Sequence, residues 1–249
     1  VANLKVNYND PQDGIDNDND GYTDNWRGWD LGENDNDATC TANNHGSHVT
    51  GCADAVTNNG TGVASPGFHC KFIPVKIADA TGALTVAYEG ITYAADAGCK
   101  IINCSWGGNG GGSFGQDVID YATINMDALV VAAAGNDGNE NPFFPASYRG
   151  VLSVASTGNN DGKSSFSNYG AFIDVCAPGS NIYTAMYNNT YNFMSGTSMA
   201  SPIAAGAAAI AKQVNSNPSL FSTRHIKEFD EVEGVNEATK AWRRDHAAP

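Results

Sequence analysis

No stretch of this 249-residue chain approaches the roughly 20 apolar residues that cross a bilayer as a helix, so a helical membrane span is excluded. Positive charge is also scarce. The 13 Lys and Arg face 27 Asp and Glu, and the formal charge of −14 argues against nucleic acid as a partner. None of the six cysteines (40, 52, 70, 99, 104 and 176) sits in a metal-binding spacing or beside a candidate base, which argues against a cysteine nucleophile. Cys70, Cys104 and Cys176 lie in strand-like runs and read as buried thiols, whereas Cys40 and Cys52 flank a histidine segment and form the expected disulfide.

What is present suits one large globular domain, with 41% hydrophobic residues. Apolar runs of strand length recur at 72–77 (FIPVKI), 100–106 (KIINCSW), 128–135 (ALVVAAAG), 151–156 (VLSVAS) and 172–177 (FIDVCA). Helix-like segments at 84–98 and 114–126 lie between the early ones. This alternation predicts an α/β fold of three layers, a mostly parallel β-sheet with helices on both faces. Beyond Phe221 the pattern fades: residues 221–249 carry 5 Lys and Arg, 6 Asp and Glu, and little apolar periodicity. One domain is expected over 1–220 and a divergent tail over 221–249.

The acidic excess is concentrated at the start, where residues 1–37 hold 10 Asp and Glu against 2 Lys and Arg. Within it, Asp16-Asn-Asp18-Asn-Asp20-Gly21-Tyr22-Thr-Asp24 has the DxDxDG form of a calcium loop. Carboxylates alternate, a glycine permits the sharp turn, the Tyr22 carbonyl takes the seventh place and Asp24 the ninth. The twelfth place is Arg27 rather than Glu, which rules out a complete EF-hand. Calcium is the expected structural cofactor, because uncompensated carboxylates this close repel.

Most informative is Asn192–Gly206, NFMSGTSMASPIAAG. A Gly-Thr-Ser turn runs into small residues with Pro202 four positions after Ser198, in what reads as a first helical turn where proline's missing N–H costs nothing. Ser198 then stands at a helix start, facing unpaired N–H groups and the positive end of the dipole, as an N-cap or as a nucleophile that passes through an oxyanion. Two more segments stand out: NHGSHVTG at 44–51 and VAAAGNDG at 131–138. Val49, Cys52, Ala53 and Val56 recur at helical spacing, so a helix begins at His45. Asn136 follows an apolar strand, at the carboxyl end where α/β sheets collect functional groups.

In this order and spacing the three motifs resemble the subtilisin-like serine proteases (subtilases), whose patterns are HGTHVAG, AAGN and GTSMA(S/T)P. The resemblance runs from about Asp13 to Leu220. It implies a subtilisin-like fold and a serine endopeptidase, secreted or at the cell surface, acting as a monomer on polypeptides through an acyl-enzyme. Carried over, Ser198 is the nucleophile, His45 the general base, His48 a structural histidine, and Asn136 an oxyanion donor beside the Ser198 N–H. Ser105, Trp106 and Gly107 would line a cleft where substrate adds as a strand, with Trp106 replacing a smaller apolar residue. Ala134 and Gly135 match one wall of the pocket for the residue before the scissile bond, and their size implies an open, mainly apolar pocket.

One member of the triad has no counterpart. In the family an aspartate ends an apolar strand well before the histidine, usually in an Asp-(Ser/Thr)-Gly turn. Upstream of His45 the apolar stretch is Val1–Tyr8, followed by Asn-Asp-Pro, and the spare acids Asp10 and Asp30 follow no buried-strand pattern. Val1 is not an initiator methionine, and the resemblance implies a fragment that begins a few residues after the aspartate strand and is inactive by itself. Two rival readings are a catalytically silent calcium-binding adhesion protein on a protease-like fold, and a sedolisin-type peptidase. Tandem DxDxDG repeats would favour the first, and a single copy is present. The second shares Ser-Gly-Thr-Ser but uses Glu where His45 stands.

Overall fold

Residues 3–39 and 44–214 are described by a computed structural model. In chain order the elements are β1 (Trp29–Asp30), α1 (His45–Asp54), β2 (Val75–Lys76), α2 (Ala87–Asp96), β3 (Ile101–Cys104), α3 (Ser113–Asp120), β4 (Leu129–Ala133), β5 (Val151–Thr157), β6 (Val175–Pro178), β7 (Ile182–Met186), β8 (Thr190–Met194) and α4 (Thr197–Val214). Strands β3, β4, β5 and β6 form a parallel sheet in that order. A separate parallel pair joins β1 to β2, and β7–β8 is an antiparallel hairpin with Ile182 opposite Met194.

Parallel strands covered on both faces read as unbroken apolar runs. Every residue of β4 and β5 is buried, and Val130 lies opposite Val151. Their alternating side chains feed two cores. On one face Ile102, Val130 and Val151 meet Ile91 of α2 and Ile119 of α3. On the other, Leu129, Val131, Leu152 and Val154 meet Ala200 and Ala205 of α4. This is the expected three-layer α/β arrangement. Helix α4 also packs on α1. A methyl on Gly206 would stand 2.7 Å from the Ala53 carbonyl, so these two helices approach almost backbone to backbone.

Several expectations are corrected. The run at 72–77 forms a strand only at Val75–Lys76. Among the described residues β2 has β1 as its one strand partner and β3 has β4, although Val75 packs on the same core as Ile102 and Cys104. The helix expected over 114–126 ends at Asp120 and widens into a π-helical turn, Tyr121–Asn125, with the Met126 N–H reaching the Tyr121 carbonyl at 3.1 Å. The β7–β8 hairpin was not foreseen. Cys52 carries a free buried thiol, against the expected bridge to Cys40, which lies outside the described residues. Cys104 is buried as expected, but Cys70 and Cys176 are only half-buried. The tail at 221–249 and its boundary lie outside the described residues.

Candidate active site

Ser198 is the second residue of α4, and Pro202 sits one turn further on. A residue at 202 would normally donate to the Ser198 carbonyl, so proline does remove a helical hydrogen bond here. The Ser105 hydroxyl supplies it instead, donating to the Ser198 carbonyl at 2.8 Å. In return the Ser198 hydroxyl donates to the Ser105 carbonyl at 3.2 Å. Asn103 completes the link: its Nδ2 donates to Ser105 Oγ (3.0 Å) and its Oδ1 accepts from Ser201 Oγ (2.7 Å). The end of β3 is thereby stitched to the first turn of α4. Trp106 follows, edge-on to Tyr88 with centroids 5.5 Å apart, and Gly107 is exposed.

Asn136 stands just past β4, after Gly135 at φ +101°, a conformation that favours glycine. Its Oδ1 accepts from both the Thr197 N–H (2.8 Å) and the Thr197 hydroxyl (3.0 Å), which turns Nδ2 outward as a donor. A methyl on Gly196 would lie 3.6 Å from the Ser198 nitrogen and 3.7 Å from both Nδ2 and Oδ1 of Asn136. The Asn136 amide and the Ser198 N–H therefore both lie close to Gly196, beside the serine. The Ser198 N–H is among the first-turn amides that have no intrahelical acceptor. Thr197 also accepts from the Gly135 N–H at 3.2 Å. Asn168 braces the same loop: its Oδ1 accepts from the Asp137 N–H (2.8 Å) and its N–H donates to the Gly135 carbonyl (3.0 Å). The ring of Phe143 lies against both Gly107 and Gly135.

His45 opens α1 half-buried, and burial together with neighbouring His48 pushes its pKa below the ordinary histidine value. His48 is fully buried, with Nε2 3.0 Å from the Ile182 carbonyl. A carbonyl only accepts, so Nε2 carries the proton and Nδ1 faces the Cys52 thiol at 3.7 Å. Burial lowers the His48 pKa and outweighs the Ile182 and Asn192 carbonyls that favour its charged form. The Cys52 thiol is pushed up by burial to about 12 and is inert at neutral pH. Asn44 Oδ1 accepts from the Tyr187 N–H (2.9 Å), a second tie between α1 and the hairpin.

Both spare acids are committed away from a triad. Asp30 is fully buried and pairs with Lys76, which also pairs with Glu33. Burial opposes the Lys76 charge, yet the two carboxylates prevail and raise its pKa. Asp10, also fully buried, accepts from the N–H groups of Asn17 and Asn25, both at 2.8 Å, and so anchors the acidic loop. Ligand atoms of Asp10, Asp16 and Asp18 all lie within 4.8 Å of one another. Asp20 and Asp24 are turned to other partners, Asp20 to the Tyr22 N–H and Asn25, Asp24 to the N–H groups of Asp13 and Gly14. The Tyr22 ring packs edge-on against Trp29 and Tyr93 and pins the loop to the core. Three hard oxygen donors gathered this closely suit calcium. Asp20 is held above the usual carboxylate range by burial first, and by Asp18 and Asp16 in addition.

The sequence reading missed Thr197, Asn103, Asn168, Phe143 and Asp10. Thr197 sits inside the quoted Gly-Thr-Ser turn and was open to notice. Asn103 and Asn168 act through Ser201 and Asp137, 98 and 31 residues along the chain, which no local pattern reports, whereas Asp10 and Phe143 have near neighbours as partners but stand in no recognised motif.

Comparison with known proteins agrees with this geometry. The Peptidase_S8 subtilase family profile matches residues 3–231. Thermitase of Thermoactinomyces vulgaris is 44% identical over 210 residues, covering 84% of this chain and 75% of that one. A thermophilic serine proteinase of Bacillus sp. (strain AK1) is 42% identical over 219 residues, covering 87% of this chain and 54% of its own length. Among solved structures, a cold-adapted subtilisin-like serine proteinase superposes with a TM-score of 0.68 at 29% identity, over 86% of this chain and 77% of that one. With its motifs, its parallel sheet and its serine-bearing helix in place, the chain belongs to the subtilase family and is a subtilisin-like serine endopeptidase.

Proposed function

We propose that residues 1–220 form the catalytic domain of a secreted, monomeric endopeptidase that cleaves polypeptides with Ser198 as nucleophile and His45 as general base. The observation that carries this reading is the Asn136 amide, oriented by the bonds of its Oδ1 to Thr197, standing close to the Ser198 N–H across Gly196. Ser198 Oγ turns from the Ser105 carbonyl, adds to the substrate carbonyl carbon and passes its proton to His45. The oxygen that gains charge is received by the two donors. Collapse breaks the C–N bond as His45 returns the proton to the departing amine, and water then repeats the sequence on the acyl-enzyme. A lowered pKa keeps His45 neutral and ready to accept a proton at neutral pH. The backbone of Ser105, Trp106 and Gly107 offers an edge to which an extended substrate adds as a strand.

We place the triad acid on a further strand between β2 and β3. Asp10 and Asp30 are engaged elsewhere, and each of those two strands has one strand partner among the described residues. Calcium is held by Asp10, Asp16 and Asp18. Asp20 and Asp24 stand outside that close group and would have to move to join it.

The test uses the protein expressed from its full gene. A serine-directed fluorophosphonate should label it, and Ser198→Ala should abolish the label. Asn136→Ala should keep KM and lower turnover by roughly 10²–10³-fold, the range found for this donor in subtilisin itself. Labelling that survives Ser198→Ala, or unchanged turnover in Asn136→Ala, overturns the assignment.

A further inference from the structure

The geometry points to Phe143 as the residue that selects the substrate: its ring closes the pocket for the side chain preceding the scissile bond and restricts that side chain to glycine, alanine or serine. This rests on the active site proposed above and names the substrate class that site takes. Gly135 belongs to the wall of that pocket that the family resemblance implies, and Gly107 meets another edge of the same ring. A methyl on Gly107 would fall 2.4 Å from Phe143 Cε1, and one on Gly135 would fall 2.9 Å from its Cγ. Unstrained carbon contacts settle at about 3.5–4.0 Å, so the ring already fills the space beside both glycine backbones. A substrate side chain entering beside Gly135 meets the ring instead of a cavity.

The ring cannot withdraw together with its backbone. The Phe143 N–H donates to Ser147 Oγ (2.9 Å), and the Ser147 N–H returns to the Phe143 carbonyl (2.8 Å). The next residue, Phe144, exchanges both main-chain hydrogen bonds with Gly108, at 2.7 and 2.8 Å. Phe144 is in turn packed on Tyr148, with centroids 4.6 Å apart. On the opposite side, Gly135 donates to the Thr197 hydroxyl at 3.2 Å, directly before the nucleophile. Phe143 is thus fixed between the two segments that carry the chemistry. A side chain of one or two heavy atoms stops short of the ring, whereas an isobutyl or benzyl group requires it to swing out.

A peptide p-nitroanilide series differing only in the residue before the anilide (Ala, Leu, Phe), run on the full-length protein normalised by fluorophosphonate titration, decides the matter. Hydrophobic pockets discriminate about 10–200-fold per methylene, so kcat/KM for Ala should exceed that for Phe by at least about 10-fold. Phe143→Gly, which retains the backbone bonds to Ser147, should invert the order, and Phe143→Leu should admit Leu before Phe. A parent enzyme that cleaves the Phe substrate as well as the Ala one refutes the inference whether or not the variants fold. An unchanged ratio in a folded Phe143→Gly protein also refutes it. Absence of fluorophosphonate labelling instead brings down the active-site reading, which separates the two failures.

Discussion

Replacing Thr197 with valine changes almost no volume and deletes one hydroxyl, which makes it a sharp probe of how the oxyanion site is held. Thr197 is fully buried. Its hydroxyl accepts from the Gly135 N–H at 3.2 Å and donates to Asn136 Oδ1 at 3.0 Å. Valine strands the buried Gly135 N–H, at a cost of about 1–3 kcal/mol. For a domain of this size that corresponds to a fall in Tm of about 2–12 °C. Asn136 keeps its bond from the Thr197 N–H at 2.8 Å, so it is loosened rather than lost. Turnover should therefore drop by about 10-fold, short of the loss from removing Asn136 outright. Because the oxyanion contact strengthens in the transition state, kcat should fall with KM nearly constant. Thr197→Ser, which restores the hydroxyl, should recover both readouts. Calorimetry and steady-state kinetics on the full-length protein are the assays. A Thr197→Val enzyme with parental Tm and kcat would show that the hydroxyl neither satisfies Gly135 nor positions Asn136.

Three further outcomes follow from the same structure. Calcium at a hundredfold excess over Kd should stabilise the protein by about 2.7 kcal/mol relative to chelator; Asp18→Asn should shrink that shift, and identical melting in calcium and chelator would leave only a solvated acidic loop. His48 is held below the ordinary histidine value, so the unfolded chain binds the extra proton as pH falls and stability should be level above about pH 7 and decline below about 6.5; urea titrations at pH 7.5 and 5.5 should show this, with His48→Gln reducing the difference, and equal midpoints would refute it. Lys76→Met should cost about 3–5 kcal/mol in urea unfolding by leaving the buried Asp30 carboxylate unpaired, and Lys76→Met with Asp30→Leu should recover most of the loss.

The sheet was legible where burial on both faces writes itself into the sequence. ALVVAAAG and VLSVAS have no polar face to hide, and they became β4 and β5 with every residue buried. The β7–β8 hairpin was invisible for the opposite reason: TYNFM is mostly exposed and polar, and its pairing with IYTAM is decided by tertiary contacts such as the His48 ring on Ile182. Ser198 and Asn136 could be singled out from local turn chemistry. Their supports could not, since the Ser105 and Asn168 bonds join residues remote in the chain. Proline at 202 misled because its neighbour was unknown. Read alone it is a harmless first-turn proline; in the structure it frees a carbonyl that Ser105 must serve. Asp10 was set aside for lacking a strand pattern, yet it is the buried acid around which the acidic loop winds.

The bonds that assemble the site span unusual lengths of chain: 134 residues from His48 to Ile182, 93 from Ser105 to Ser198, and 61 from Asn136 to Thr197. Each closes a loop whose entropy must be met before the contact returns anything. The reacting groups therefore come together only when nearly the whole polypeptide has found its place. For a protein-cutting enzyme this timing is protective. A partly folded copy, or a stretch released by nicking, has the serine without Asn136 beside it and the histidine helix without its anchor. Cleaving power arrives with the finished architecture, so a maturing molecule poses little danger to its neighbours or to itself.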